Sequence, residues 1–91
     1  MGRVQHMING MQVVMIRTES VEDSKEICDQ LLMGKVAVIN MEKAPGDQRT
    51  RIIDFMSGVL YGVNGSLLPV SQVIYIVAPE GIKLSDEARG T

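Results

Sequence analysis

Three short, uninterrupted apolar runs limit what this chain can fold into. They are VVMI at residues 13–16, VAVI at 36–39 and VIYIV at 73–77. Each is rich in β-branched residues and has the length of a strand. A strand that is apolar at consecutive positions is typical of a sheet covered on both faces. Segments of helical periodicity separate the runs, so the sequence predicts an α/β fold.

The order of these segments predicts two helices packed on one sheet. Strand and helix signals alternate in the first half, and strand signals dominate the second half. The first strand–helix–strand crossover is expected to be right-handed and to give a parallel pair. We therefore predict a compact two-layer sandwich with a mixed sheet of four or five strands. The predicted strands are 12–18, 35–40, 66–70, 71–79 and a last short one at 81–85; the predicted helices follow Ser20, which would cap the first, and Gly46–Asp47.

Residues 11–85 form the predicted domain. Residues 1–10, MGRVQHMING, show no clean period and are interpreted as a disordered or linker-like N-terminus. Residues 86–91 are interpreted as a polar tail. Gly34 is expected to end the first helix, and the second is expected to reach about Val63.

Composition excludes several classes of function. The 91 residues carry a net charge of −2, which argues against a nucleic-acid surface. With one histidine and one cysteine, Cys28, the chain has no Cys/His zinc set and no internal disulfide. No nucleophile–base constellation, paired carboxylates or phosphate loop is recognisable. We therefore expect a non-enzymatic cytoplasmic protein without metal or cofactor.

The predicted sheet has one face that the two helices cannot cover. A second copy packing sheet against sheet would cover it, and the alternative is that an edge or the N-terminal arm folds over it. We favour a homodimer. The strand residues expected at this contact are Val14, Ile16, Val38, Ile74 and Ile76.

The second predicted helix carries two glycines four residues apart, Gly58 and Gly62. Each glycine costs a helix interior about 1 kcal/mol relative to alanine. With Arg51 and Phe55 they form a strip beside the apolar stripe that would face the core. The glycines either let another chain approach the helix backbone, through a helix or a bound peptide, or clear space for neighbouring strands inside the monomer. Both interpretations stay open, and the first makes Gly58 and Gly62 oligomer contacts.

The sequence resembles a known family through VAVIN, RIIDFMSG, Tyr61, Gly65 and Ala78-Pro79. Together these resemble the conserved C-terminal core domain of SepF-type cell-division proteins, over Val13 to Leu84. The resemblance implies an adaptor that binds the C-terminal tail of FtsZ, the tubulin-like division GTPase. Such adaptors tether FtsZ filaments to the cytoplasmic face of the membrane at the division site. It also implies a homodimer that can assemble further.

The resemblance places a tail-binding site near the second helix, the loop before it and the Tyr75 strand. Phe55 could supply an apolar wall, and Arg51 or Lys43 could meet a carboxylate of the tail. The expected site residues are Asn40, Lys43, Arg51, Asp54, Phe55, Gly58 and Tyr75.

The family's membrane anchor is an N-terminal amphipathic helix. MGRVQHMINGMQ is too short and too weakly amphipathic to be that helix, so we expect a fragment of a longer protein. Membrane contact would then need a segment other than this one. The alternative function is a small-molecule-sensing regulatory domain that binds a metabolite between subunits, which rests on fold analogy alone.

Overall fold

Two helices pack on a five-stranded mixed sheet, as predicted. The structure, a computed structural model, describes residues 3–8 and 10–84. Across the sheet the strand order is β1-β2-β3-β5-β4, with β2 and β3 parallel and the other neighbours antiparallel. The parallel pair is the one predicted for the first crossover. The elements are β1 (Arg3–Ile8), β2 (Met11–Arg17), α1 (Ser24–Leu32), β3 (Val36–Asn40), α2 (Gly46–Gly62), β4 (Ser66–Pro69) and β5 (Ile74–Ala78).

The fifth strand lies at the opposite end of the chain from the one expected. Residues 3–8 form β1, antiparallel to β2, where a linker was expected. The last predicted strand is wrong over residues 81–84, which contain a turn and no strand. The turn between β1 and β2 includes Gly10, whose φ of 80° suits glycine. Residues 86–91, interpreted as a polar tail, lie outside the described residues.

One face of the sheet and both helices form the core. Alternate residues of β2 and β3, such as Val14, Ile16 and Ile39, point towards the helices and have no exposed surface. Ile52 and Met56 of α2 pack against them and are equally buried. Val14 and Ile16 are therefore wrong as predicted oligomer contacts, because the pleat turns them inward and presents Val13 and Met15 on the other face.

The other face of the sheet, here called the far face, is covered by neither of the two described helices. One row of apolar residues crosses all five strands there, from neighbour to neighbour in register. Met15 is 43% exposed and Val4 51% exposed, whereas the middle of the row is half-buried. The predicted contact residues Val38, Ile74 and Ile76 are on this face; the homodimer itself stays a prediction. The row consists of Val4, Met15, Val38, Ile76 and Leu68.

The start of α1 differs from the predicted capping box. Ser20 is extended, but its side chain makes no capping hydrogen bond. Instead the Asp23 carboxylate accepts a hydrogen bond of 2.8 Å from the backbone N–H of Glu19. A 3-10 turn at Val21–Asp23 then leads into the helix. At the other end Gly34 adopts φ 82° just beyond α1, as expected of a glycine that stops a helix.

Candidate functional site

A groove of about 310 Å³ runs along one flank of α2. The first half of the helix forms one wall, and residues at the end of the sheet form the other. Residues 46, 49, 50, 53 and 54 of the helix all face it, because a spacing of three or four residues repeats on one side of a helix. The groove is lined by Met41, Gly46, Arg49, Thr50, Ile53, Asp54, Gln72 and Tyr75.

Hydrogen bonds hold both walls of this groove in place. The Arg49 guanidinium donates from Nη1 to the carbonyl of Ala44 at 3.0 Å, which fixes the arginine beside the loop before α2. The backbone N–H of Met41 donates to the carbonyl of Val73 at 2.8 Å and joins the ends of β3 and β5. A cation and a carboxylate, Arg49 and Asp54, thus border a groove that also presents the apolar surfaces of Ile53 and Tyr75. This combination suits an extended peptide with apolar and charged side chains.

The structure brings only two of the predicted tail-binding residues to this groove, Asp54 and Tyr75. Asn40 points to the far face, where it lines a small cavity with Val4 and Met15. Its side-chain oxygen accepts a hydrogen bond from the backbone N–H of Glu42 at 2.9 Å. Lys43 is exposed on the loop before α2 and does not line the groove.

The remaining predicted residues lie on another flank of α2. Consecutive residues are about 100° apart round a helix, so Phe55 points roughly 200° away from Ile53 of the groove. Arg51, Phe55, Gly58 and Gly62 share that flank, and all four are exposed. We call these four residues the glycine strip. The sequence predicted one site around α2, and the structure separates it into two surfaces.

The space beside both glycines of the glycine strip is open. A Cβ atom added at Gly58 or Gly62 would meet nothing within 4 Å. The interpretation that these glycines clear space for strands inside the monomer is therefore wrong. That role belongs to Gly65, where a Cβ would lie 2.6 Å from Cδ2 of Leu60 and 2.7 Å from the carbonyl oxygen of Ala78.

A second groove, of about 540 Å³, lies between the C-terminal halves of the two helices. Its surface is mainly apolar, and the half-buried Cys28 is part of it. Burial raises the pKa of this thiol, and the neighbouring carboxylate of Asp29 raises it further, so Cys28 is a neutral thiol at pH 7. Sequence reasoning missed this groove because its residues come from three separate segments. They are Cys28, Leu31, Leu32, Gly34, Val59, Val63, Pro79 and Glu80.

Sequence reasoning also missed Met41, Arg49 and Gln72 of the α2 groove. The spacing of Arg49 with Ile53 was the available signal, since they are four residues apart on one helix flank. Within residues 3–8 and 10–84, no cluster of three or more His, Cys, Asp or Glu side chains could hold a metal ion. The same residues include no helix that is long and apolar enough to cross a membrane.

Comparison with known proteins assigns the family. Residues 13–84 match the family described as Cell division protein SepF. The chain belongs to the SepF family. Two SepF proteins, from Lachnoclostridium phytofermentans and Lachnospira eligens, are each 41% identical to it over 78 residues. These alignments cover 86% of this chain and 38% and 43% of the respective relatives.

A third relative also matches most of this chain over only part of its own length. The SepF protein of Acetivibrio thermocellus is 34% identical over 85 residues, which is 93% of this chain and 55% of that protein. The chain thus spans about half or less of the length of these curated relatives. Family membership confirms the resemblance seen in the sequence.

Proposed function

We propose that this SepF domain is a non-enzymatic adaptor of cell division that binds the C-terminal tail of FtsZ in the α2 groove. Family membership supports a role in division. The observation that supports this choice of site is that Asp54, Tyr75 and Arg49 line one groove. In the full-length protein, the adaptor would tether FtsZ filaments to the cytoplasmic face of the membrane at the division site.

The lining of the groove fits a short peptide better than a metabolite. Arg49 can bond a carboxylate of the tail bidentately, and Asp54 can pair with a cationic side chain. Ile53 and the Tyr75 ring offer apolar surface in the same groove. An extended peptide could therefore combine charged residues with an apolar anchor. Lys43, exposed on the adjoining loop, could reach a further acidic residue of the tail.

The far face supports a homodimer. Its apolar row crosses every strand, and burying it against a second copy would remove this surface from water. Val38, Ile74 and Ile76 would then lie inside the contact. Two tail sites in one dimer would bind a filament with many tails more tightly than one site, because the second binding event becomes intramolecular. Such an adaptor can exchange individual tails while the array stays attached.

Calorimetry with a synthetic FtsZ C-terminal peptide tests the site. We expect saturable binding near one peptide per protomer. Asp54→Lys should weaken it at least tenfold, because the reversal sets a like charge against the cationic side chain of the tail. Asp29→Lys is the matched control, since this aspartate is also exposed but lies on α1.

The glycine strip provides the competing location. Phe55→Ala and Gly58→Lys should leave the affinity within about twofold of wild type if the tail occupies the α2 groove. If these two variants lose binding while Asp54→Lys binds normally, the tail binds the glycine strip and not the α2 groove. A folded domain that gives neither heat nor thermal stabilisation with the peptide would reject tail binding, and metabolites would then be screened by thermal shift.

A further inference from the structure

The two edges of the sheet differ in their capacity to accept another strand. Strand β4 is four residues long and ends at Pro69, which cannot donate a backbone hydrogen bond. Strand β1 has six residues, no proline, and no charged side chain between residues 4 and 8. Charges and prolines are the usual means by which proteins block edge pairing. The described part of β1 has neither along its centre.

The hairpin geometry determines which backbone groups of β1 face outward. Ile8 of β1 is opposite Met11 of β2, and two residues separate them in the sequence. In a hairpin closed by two residues, the pair next to the loop is hydrogen-bonded, and bonded and non-bonded pairs alternate from there. Arg3, Gln5 and Met7 therefore fall at non-bonded positions relative to β2. Their N–H and C=O groups point away from the sheet.

We infer that β1 pairs antiparallel with β1 of a second copy, with Gln5 opposite Gln5 of that copy. This register uses the outward groups of all three residues and places Arg3 opposite Met7. The pairing is self-complementary, as a two-fold contact between identical chains requires. Gln5 and Met7 are exposed, Met7 by 63%, so neither helix covers this strand and the partner strand has room.

Pairing at β1 would join two sheets into one and make their far faces continuous. This contact is separate from the far-face contact and does not depend on FtsZ binding. Two different self-complementary contacts on one subunit can join more than two copies into one assembly. Such an assembly would present tail sites on both of its outer, helix-bearing surfaces.

Disulfide cross-linking tests the pairing directly. Hydrogen-bonded antiparallel neighbours have Cα atoms about 5.5 Å apart, which lies within the range that a disulfide spans. Gln5→Cys in a Cys28→Ser background should form a covalent dimer rapidly on mild oxidation. Gln12→Cys in the same background is the control: it lies on the same face of the hairpin, but on the inner strand. Gln5 faces away from the far face, so a far-face dimer cannot produce this cross-link.

A charge variant gives an independent readout by sedimentation. Gln5→Lys should weaken self-association several-fold by opposing two ammonium groups, and added salt should restore much of it. Gln12→Lys introduces the same charge beside it and should associate like wild type. Both variants should keep the wild-type melting temperature measured at low protein concentration. Equal cross-linking of Gln5→Cys and Gln12→Cys, or equal association of the two lysine variants, would overturn the inference.

Discussion

The substitutions Gly58→Ala and Gly65→Ala should change the free energy of unfolding of this domain in opposite directions. Gly58 is in the interior of α2, and a Cβ there meets nothing within 4 Å. The substitution therefore adds helix propensity without a clash. We expect the free energy of unfolding to rise by about 0.8–1 kcal/mol. For a domain of this size, that corresponds to a melting temperature roughly 4–8 °C higher.

Gly65 follows α2 and precedes β4, and it has no such space. Its Cβ would overlap the carbonyl oxygen of Ala78, a backbone atom of β5 that cannot turn aside. Separating the two would disturb the pairing of Ser66 with Ala78 at the start of β4. We expect Gly65→Ala to lower the free energy of unfolding by about 1–3 kcal/mol, as overpacking does in cores. The two variants should thus differ by roughly 2–4 kcal/mol.

Urea denaturation followed by circular dichroism measures both changes. The experiment should be run at two protein concentrations that differ about a hundredfold. If the domain alone determines the effect, the gain in Gly58→Ala will be the same at both. If the glycine strip contacts a second copy, the added methyl group will reduce the gain at the higher concentration. A Gly58→Ala variant that is destabilised at the lower concentration, or a neutral Gly65→Ala, would refute the reasoning from the Cβ geometry.

Three further substitutions or conditions have expected outcomes. Asp23→Ala should lower the free energy of unfolding by about 1 kcal/mol in urea titration, because the N–H of Glu19 loses its 2.8 Å acceptor; an unchanged midpoint would dismiss that bond. Asn64 has φ 58°, so Asn64→Val should cost about 1–2 kcal/mol in the same assay, while Asn64→Gly should cost nothing. Because the pKa of Cys28 is raised in the folded domain, the unfolded chain loses the thiol proton at a lower pH. The protonated thiol therefore contributes fully to the free energy of unfolding at neutral pH, and this contribution falls as the pH rises above the ordinary thiol pKa. Alkylation at pH 8 should accordingly be slower in the folded protein than in urea, and equal rates would contradict the shift.

The sequence was sufficient for the layers of the fold but not for every strand. The apolar runs and the Ser20–Gly34 segment predict the parallel pair and the first helix, and the periodicity of residues 51–63 predicts the second, because these depend on local pattern. Strand β1 was missed because Val4, Gln5, His6 and Met7 do not alternate between apolar and polar. The Asn9-Gly10 dipeptide was the available signal, since it is typical of tight hairpins.

The site was harder to predict than the fold. Helical periodicity places Asp54 and Phe55 side by side in sequence, yet about 100° apart round α2. Which flank of α2 faces β5 depends on the rotation of the helix about its axis where it packs on the sheet. The sequence pattern does not determine that rotation. Tyr75 was predicted beside the helix because the family resemblance placed the tail-binding site there. Arg49 was not predicted, since its bond to Ala44 exists only after the loop before α2 has folded.

The sheet order has a consequence for the way the chain is made. Strand β4 pairs only with β5, although it is synthesised first, and β5 lies between it and β3. On the ribosome, β4 must therefore wait until Ile74–Ala78 has emerged and docked beside β3. The hairpin of β1 with β2 and the first crossover need no such delay, because their partners are close in sequence. Truncation before Ile74 would remove two strands from the sheet, so completion of the domain depends on its last few described residues.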